Sequence, residues 1–124
     1  MLPQDQKRQA FQLIVLSILS DEPLYGYAII KRVASQSADQ IRLTPGALYP
    51  LLHHLEAQKL ISCSWETVRS DRHADPHETP GRKRKWYRLT PKGRKHLARR
   101  IAAHRAHQTM IESFLPPAPE GEPA

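Results

Sequence analysis

Three groups of side chains in this 124-residue chain have types and spacings that could organise chemistry. The first is Asp71, His73, Asp75 and His77, where the two histidines stand at an interval also found in zinc sites. The second is Cys63, the single cysteine. Standing alone, it excludes an intramolecular disulfide and any zinc site built on a cysteine pair. Its alternation with apolar neighbours reads as a small buried hydrophobe, not as a nucleophile. The third is the run Arg82-Lys83-Arg84-Lys85 with the cations that follow it. From Thr79 to Ile111 there is no Asp or Glu, against eleven Lys and Arg. A solvated helix face would ordinarily mix both signs, whereas an array of one sign suits phosphate. The chain shows no Gly-rich phosphate loop, no nucleophile beside a base and no pair of catalytic carboxylates. An enzyme is therefore not expected, nor a cofactor.

The whole chain follows the same trend. Nineteen Lys and Arg against twelve Asp and Glu give a formal charge of +7. In so small a domain that excess points to an anionic partner, usually nucleic acid and more rarely a lipid surface. No apolar run approaches the roughly 18 residues of a membrane span. The N-terminal residues do not read as a signal peptide. The expectation is a cytoplasmic, bacterial-type protein with no membrane partner.

The elements that must position these groups can be read in turn. Phe11, Ile14, Val15, Ile18 and Leu19 form a helical stripe, which predicts a first helix from about Gln6 to Leu19, stopped by Asp21, Glu22 and Pro23. A second helix starts near Tyr25 and turns Ala28, Ile29, Ile30 and Val33 inward. Gly26 near its start serves close packing or simply a turn. Ser35 to Gln40 reads as a connection, and Ile41-Arg42-Leu43 as a stub strand. Thr44 and Pro45 then supply an N-cap and a first-turn proline. Leu48, Leu51, Leu52 and Leu55 back the third helix, and Gly46, Tyr49, His53 and His54 form its other face. Pro50 inside it predicts a local bend. Leu60 to Val68 alternates as a half-buried strand with Ile61, Cys63 and Trp65 on one face. Arg84 to Leu89 alternates likewise, with Tyr87 and Leu89 facing one way. The polar stretch Arg69 to Lys83 between them makes a projecting wing. Thr90 and Pro91 start a last helix reaching about Leu115. Along it Leu97, Ile101, His104, Gln108, Ile111 and Leu115 form a seam suited to a partner helix. That seam packs on a second subunit, on the first helix of its own chain through residues such as Phe11, or on both. Residues 116–124 read as a disordered tail.

This order is that of a winged helix-turn-helix: mainly α with a small β-hairpin, a binding domain over 1–89 and a dimerisation helix over 90–115. The combined pattern also resembles the PadR family of transcriptional regulators. The likeness is carried by Leu16-Ser17-Ile18-Leu19, Leu24-Tyr25-Gly26-Tyr27, the stretch from Thr44 to Leu52, Leu55-Glu56, Leu60-Ile61 and the stretch from Gly81 to Gly93. It covers roughly residues 10 to 110. The resemblance implies a homodimer that binds a palindromic operator in double-stranded DNA and usually represses transcription. It further implies that the third helix enters the major groove and that the wing touches the flanking backbone or minor groove. Carried over by position, Thr44, Gly46 and Tyr49 fall on the groove-reading helix, with His53 on the same face. Arg82, Lys83, Arg84 and Lys85 fall at the wing's end. The sequence departs from the family in a long wing rich in His and Asp, and in Lys83, where relatives often have proline.

The expected division of labour is physical. Lys and Arg bind phosphate without reading sequence. Lys92 and Lys95, in the last helix's first turns, stand against its dipole at a small cost that a phosphate would cancel. Tyr49 bonds a phosphate or meets a thymine methyl, or else packs against the wing. Two alternatives stand beside the operator-binding reading: a metal-sensing wing through His73 and His77, and a winged-helix module for protein or RNA. The resemblance further implies that dimer faces can enclose an apolar pocket for a small aromatic effector, with Phe11, Val15, Tyr25, Trp65, Ile101 and His104 as candidate surroundings, each of which is also accounted for as plain core.

Overall fold

The computed structural model describes residues 4–67 and 83–119. The expected wing loop, with Asp71, His73, Asp75, His77 and Arg82, lies outside the described residues, as does most of the expected tail. The elements are α1 (Gln4–Leu19), β1 (Leu24–Tyr25), α2 (Gly26–Gln36), α3 (Pro45–Ala57), β2 (Ile61–Thr67), β3 (Lys83–Leu89) and α4 (Pro91–Glu112). The sheet is antiparallel in the order β1-β3-β2. Its register runs from Ile61 opposite Leu89 out to Thr67 opposite Lys83.

The α1 stripe is buried at Val15, Ile18 and Leu19, joined by Leu16. It meets Ile29 and Val33 of α2, the leucine back of α3, and Tyr87 and Leu89 of the sheet in one core. Each fully buried leucine contributes about 1.5–3 kcal/mol. Arg32 of α2 pairs with Asp21 and Glu22, tying α2 to the end of α1.

The stub strand is not at Ile41-Arg42-Leu43, which carries no strand. It is Leu24–Tyr25, paired with Tyr87 and Trp86. Residues 41–43 are committed elsewhere: the Ile41 N–H donates to Ser37 Oγ at 3.0 Å, and Leu43 is buried in the core. Trp65 also departs from expectation. Along the inward face of β2, burial falls from Ile61 through half-buried Cys63 to Trp65, which is 60% exposed. The hairpin outruns the helical layer beneath it, so alternation persists while its apolar cover ends.

α3 ends in a turn that also anchors α4. Lys59 adopts a left-handed conformation with φ 62°. The Leu60 N–H donates to the Leu55 carbonyl at 3.0 Å, and the Lys59 N–H to Glu56 at 2.9 Å. This is the paired closure of a Schellman cap, with Lys59 where glycine is usual. The Leu60 carbonyl then accepts the Thr90 N–H at 3.1 Å. The Thr90 hydroxyl donates to the Lys59 carbonyl at 2.7 Å and accepts from the Gly93 N–H at 2.9 Å. Gly93 lies so close that an added Cβ would overlap the Leu60 carbonyl.

Beyond this junction α4 crosses α1. Leu97 is only 5% exposed, within the chain's own core, and Ile101 packs against that core. Arg100 donates to the Gln9 carbonyl at 2.8 Å and to the Gln12 side chain at 3.4 Å. Packing on the same chain therefore accounts for the first two residues of the seam. From Ala102 to Pro119 every residue is exposed in the single chain, including His104, Gln108, Ile111 and Leu115. The helix proper stops at Glu112, and the chain reaches Leu115 through turns.

Two substitutions test the α3–α4 junction. Lys59→Gly relieves a left-handed backbone and is expected to raise the unfolding free energy by about 1 kcal/mol. Gly93→Ala forces a Cβ onto a backbone carbonyl and is expected to cost about 1–3 kcal/mol or more. Urea unfolding at fixed protein concentration reads both, and a neutral Gly93→Ala would contradict the close approach at Leu60.

Candidate nucleic-acid interface

The candidate surface is built on α3. Thr44 caps the helix, its Oγ1 accepting from the Ala47 N–H at 3.2 Å, and Pro45 takes the first position. Leu48, Leu51, Leu52 and Leu55 are buried, which forces the opposite face outward. Gly46, Pro50, His53 and Ala57, at i, i+4, i+7 and i+11, form that face and all are exposed. It is narrow and low, with His53 its single strongly polar side chain. A helix so shaped can approach base edges closely. The helix runs on through Pro50, whose missing N–H leaves the Gly46 carbonyl without its helical donor.

Tyr49 sits on the flank toward the sheet and is 41% exposed. Its ring packs over Gly26, where any Cβ would meet the Tyr49 hydroxyl. Gly26 is therefore a close-packing glycine, and Tyr49 joins the start of α2 to α3. The same tyrosine lies near Tyr87, whose hydroxyl is pushed above its ordinary pKa by burial, with smaller contributions from Tyr49 and other neighbours.

Glu56 lies one helical repeat beyond Tyr49, on the same flank. Its Oε2 accepts from the Cys63 thiol at 3.0 Å and its Oε1 from Lys85 Nζ at 3.3 Å. The thiol hydrogen bond, with help from Lys85, holds Glu56 below the usual carboxylate range despite partial burial. The same bond and burial push the Cys63 thiol up, so it stays protonated as a donor. Burial pulls the Lys85 ammonium down, but Tyr87 and Glu56 outweigh it and the net shift is upward. Its Nζ also lies 5.6 Å from the Trp65 ring and 5.3 Å from that of Tyr87, within cation–π range.

The basic run is thus divided by the pleat. Lys83 is exposed at the outer end of β3. Arg84 lies over Tyr25 at 4.1 Å and near Trp86 at 6.0 Å, and Tyr25 meets Trp86 edge-on. Lys85, expected among the DNA-binding cations with Arg82, Lys83 and Arg84, is turned inward toward α3 onto Glu56. Lys92 reaches back to the Gln58 carbonyl at 3.1 Å, where a cation complements the C-terminal end of α3.

On the other flank of α3, a groove of about 510 Å³ separates it from α1. Phe11, Ala47, Pro50 and Leu51 line it, with Lys7, Arg8 and His54 around them. Lys7 lies 5.7 Å from the Phe11 ring. Nothing in the sequence linked these two cations to α3, because the approach of α1 is long-range. Glu56 carried one faint signal, as the single carboxylate of α3.

Of the six residues expected around an aromatic effector, Val15 is core with Phe11 and Ile101 packed against it, whereas Trp65 is on the hairpin, Tyr25 meets Trp86 and His104 is exposed on α4. Among the described residues no group of three or more His, Cys, Asp or Glu could hold a metal. No described helix is long and apolar enough to cross a membrane.

The family model described as the transcriptional regulator PadR-like family matches residues 15–99. The chain is 38% identical over 106 residues to a 37.1 kDa protein of a Streptomyces fradiae transposon. That match covers 85% of this chain and 26% of the relative, so the chain spans about a quarter of that protein's length. A transcriptional regulator of Mycobacterium tuberculosis is 32% identical over 88 residues, 71% of this chain and 69% of its own. The solved structure of a PadR family transcriptional regulator from Eggerthella lenta superposes with a TM-score of 0.67 at 27% identity, covering 91% of this chain and 88% of that one. With the leucine-backed helix set beside a β-hairpin and this match across it, the chain belongs to the PadR-like family of transcriptional regulators.

Proposed function

We propose that the protein is a homodimer that binds a palindromic operator in double-stranded DNA and represses transcription from it. The observation that carries this reading is the outward face of α3. It is a capped helix with four buried leucines behind and Gly46, Pro50 and His53 in front. That relief lets a helix seat in a major groove and meet base edges through Thr44, His53 and methyl or ring contacts. Affinity comes from phosphate contacts by Arg82 and Lys83 at the wing and by Lys7 and Arg8 beside α3. Arg84, stacked on Tyr25, guides the wing's base, and Tyr49 chiefly sets the angle between α2 and α3. Trp65, exposed at the same end of the hairpin, is a further contact surface for sugar or base.

The end of α4 and the turns beyond it support a second copy as partner. Met110, Ile111, Phe114 and Leu115 are exposed together, Phe114 by 81%. Apolar groups so grouped bury themselves on association. His104 and Gln108 lie on the same length of helix, while Ile101 and Phe11 complete the surface nearer the core. Leu97 contributes by anchoring α4 from inside its own subunit. Two readers related by a two-fold axis would then engage half-sites about 34 Å apart.

Titration of the full chain against DNA upstream of its own gene, with random duplex as competitor, tests this reading. A sharp, competitor-resistant shift is expected. Equal affinity for RNA, or no shift on any duplex, would favour the interaction-module alternative. Arg82→Ala is expected to weaken specific and random duplex alike and to lower the salt slope by about 0.9. The double substitution Ile111→Asp and Phe114→Asp is expected to give a monomer in sedimentation velocity. Loss of the paired contact should lower operator affinity by about 100-fold or more.

A further inference from the structure

A lysine at the base of a DNA-binding hairpin would normally add one more indiscriminate phosphate contact. Lys85 is held instead. It occupies the cleft between α3 and the inward face of the hairpin, under Trp65 and beside Tyr87, with its ammonium on Glu56 Oε1. The carboxylate is itself fixed from a second side, because the Cys63 thiol donates to Oε2. Both members of the pair keep about a quarter to a third of their side-chain surface exposed. The cleft is therefore a surface feature at the flank of α3, within reach of a backbone that passes from α3 to the hairpin.

We propose that Glu56 is a positioning residue of the DNA surface: by holding Lys85 in the α3–hairpin cleft, it keeps that cation off the phosphates of every duplex and so lowers sequence-independent affinity and its salt dependence. This rests on the DNA-binding reading above. A free ammonium at this place would add one phosphate contact to any duplex, raising affinity and its salt dependence without reading sequence. The bound pair is neutral as a unit and adds no phosphate contact. Glu56 also stiffens the angle between α3 and β3, since it belongs to one and grips the other.

The measurement is the salt dependence of random-duplex affinity, by fluorescence anisotropy, for the full chain and three variants. Glu56→Gln is expected to steepen the slope of log affinity against log salt by about 0.9 and to raise random-duplex affinity roughly five- to tenfold near 0.1 M salt. Adding Lys85→Met to Glu56→Gln is expected to return the slope to the wild-type value. A steep slope that persists in the double variant, or an unchanged slope in Glu56→Gln, overturns the proposal. Lys85→Met alone is expected to leave the slope unaltered, and a fall of about 0.9 would place Lys85 on phosphate already and overturn it too. Alkylation of Cys63 by iodoacetamide near pH 8.5 checks the cleft without DNA. It should accelerate in Glu56→Gln, because the thiol loses the neighbouring negative charge that disfavours its thiolate, and an unchanged rate would overturn the proposed grip of Glu56. A wild-type chain that binds no duplex overturns the DNA-binding reading itself. Wild-type binding with unmoved variant slopes overturns this inference alone.

Discussion

The backbone of Leu60 is the point on which the arrangement depends. Its N–H closes the end of α3 on Leu55, and its carbonyl accepts the N–H of Thr90. Its side chain enters the core. The Thr90 hydroxyl spans the remaining gap, from the Lys59 carbonyl to the Gly93 N–H. One residue therefore caps α3, leads into β2 and receives α4. Buried backbone groups must find partners, and here each element satisfies groups left open by another. The orientation of α3 cannot change without breaking the seat of α4.

That coupling ties the exposed face of α3 to the course of α4. α3 presents its narrow face at one side of the domain. α4 leaves the same junction, crosses α1 through Leu97 and Arg100, and carries its apolar end away from the core. The α3–α4 junction is short and closed by hydrogen bonds, so it transmits angle with little slack. Any partner that grips the far half of α4 thereby constrains where α3 points.

Charge is arranged with similar economy. The net charge is +7, yet several cations have internal duties. Arg100 ties α1 to α4, Lys92 reaches the end of α3, and Lys85 rests on Glu56. Lys7 and Arg8 approach α3 from α1. The surface that faces a polyanion is defined by which cations are left outward, and that differs from the list of cations nearby in sequence.

The helices and their inward faces were legible before any coordinates. Thr44-Pro45 and Thr90-Pro91 announce two starts, because capping and first-turn proline act within a few residues. The leucine spacing of α3 and the stripe of α1 name the buried side, because a period of 3.6 needs no distant information. Alternation identified both long strands for the same reason. Tertiary contacts decided the rest. Leu24–Tyr25, not 41–43, became the edge strand because β3 lay beside it. Trp65 kept its place in the alternation but lost its cover, since the hairpin extends past α3. Lys85, 29 residues from Glu56, and Arg100, 91 from Gln9, found partners no local pattern could name. Local signals specify which face of an element is apolar; only the packing of elements far apart in the chain decides what that face meets.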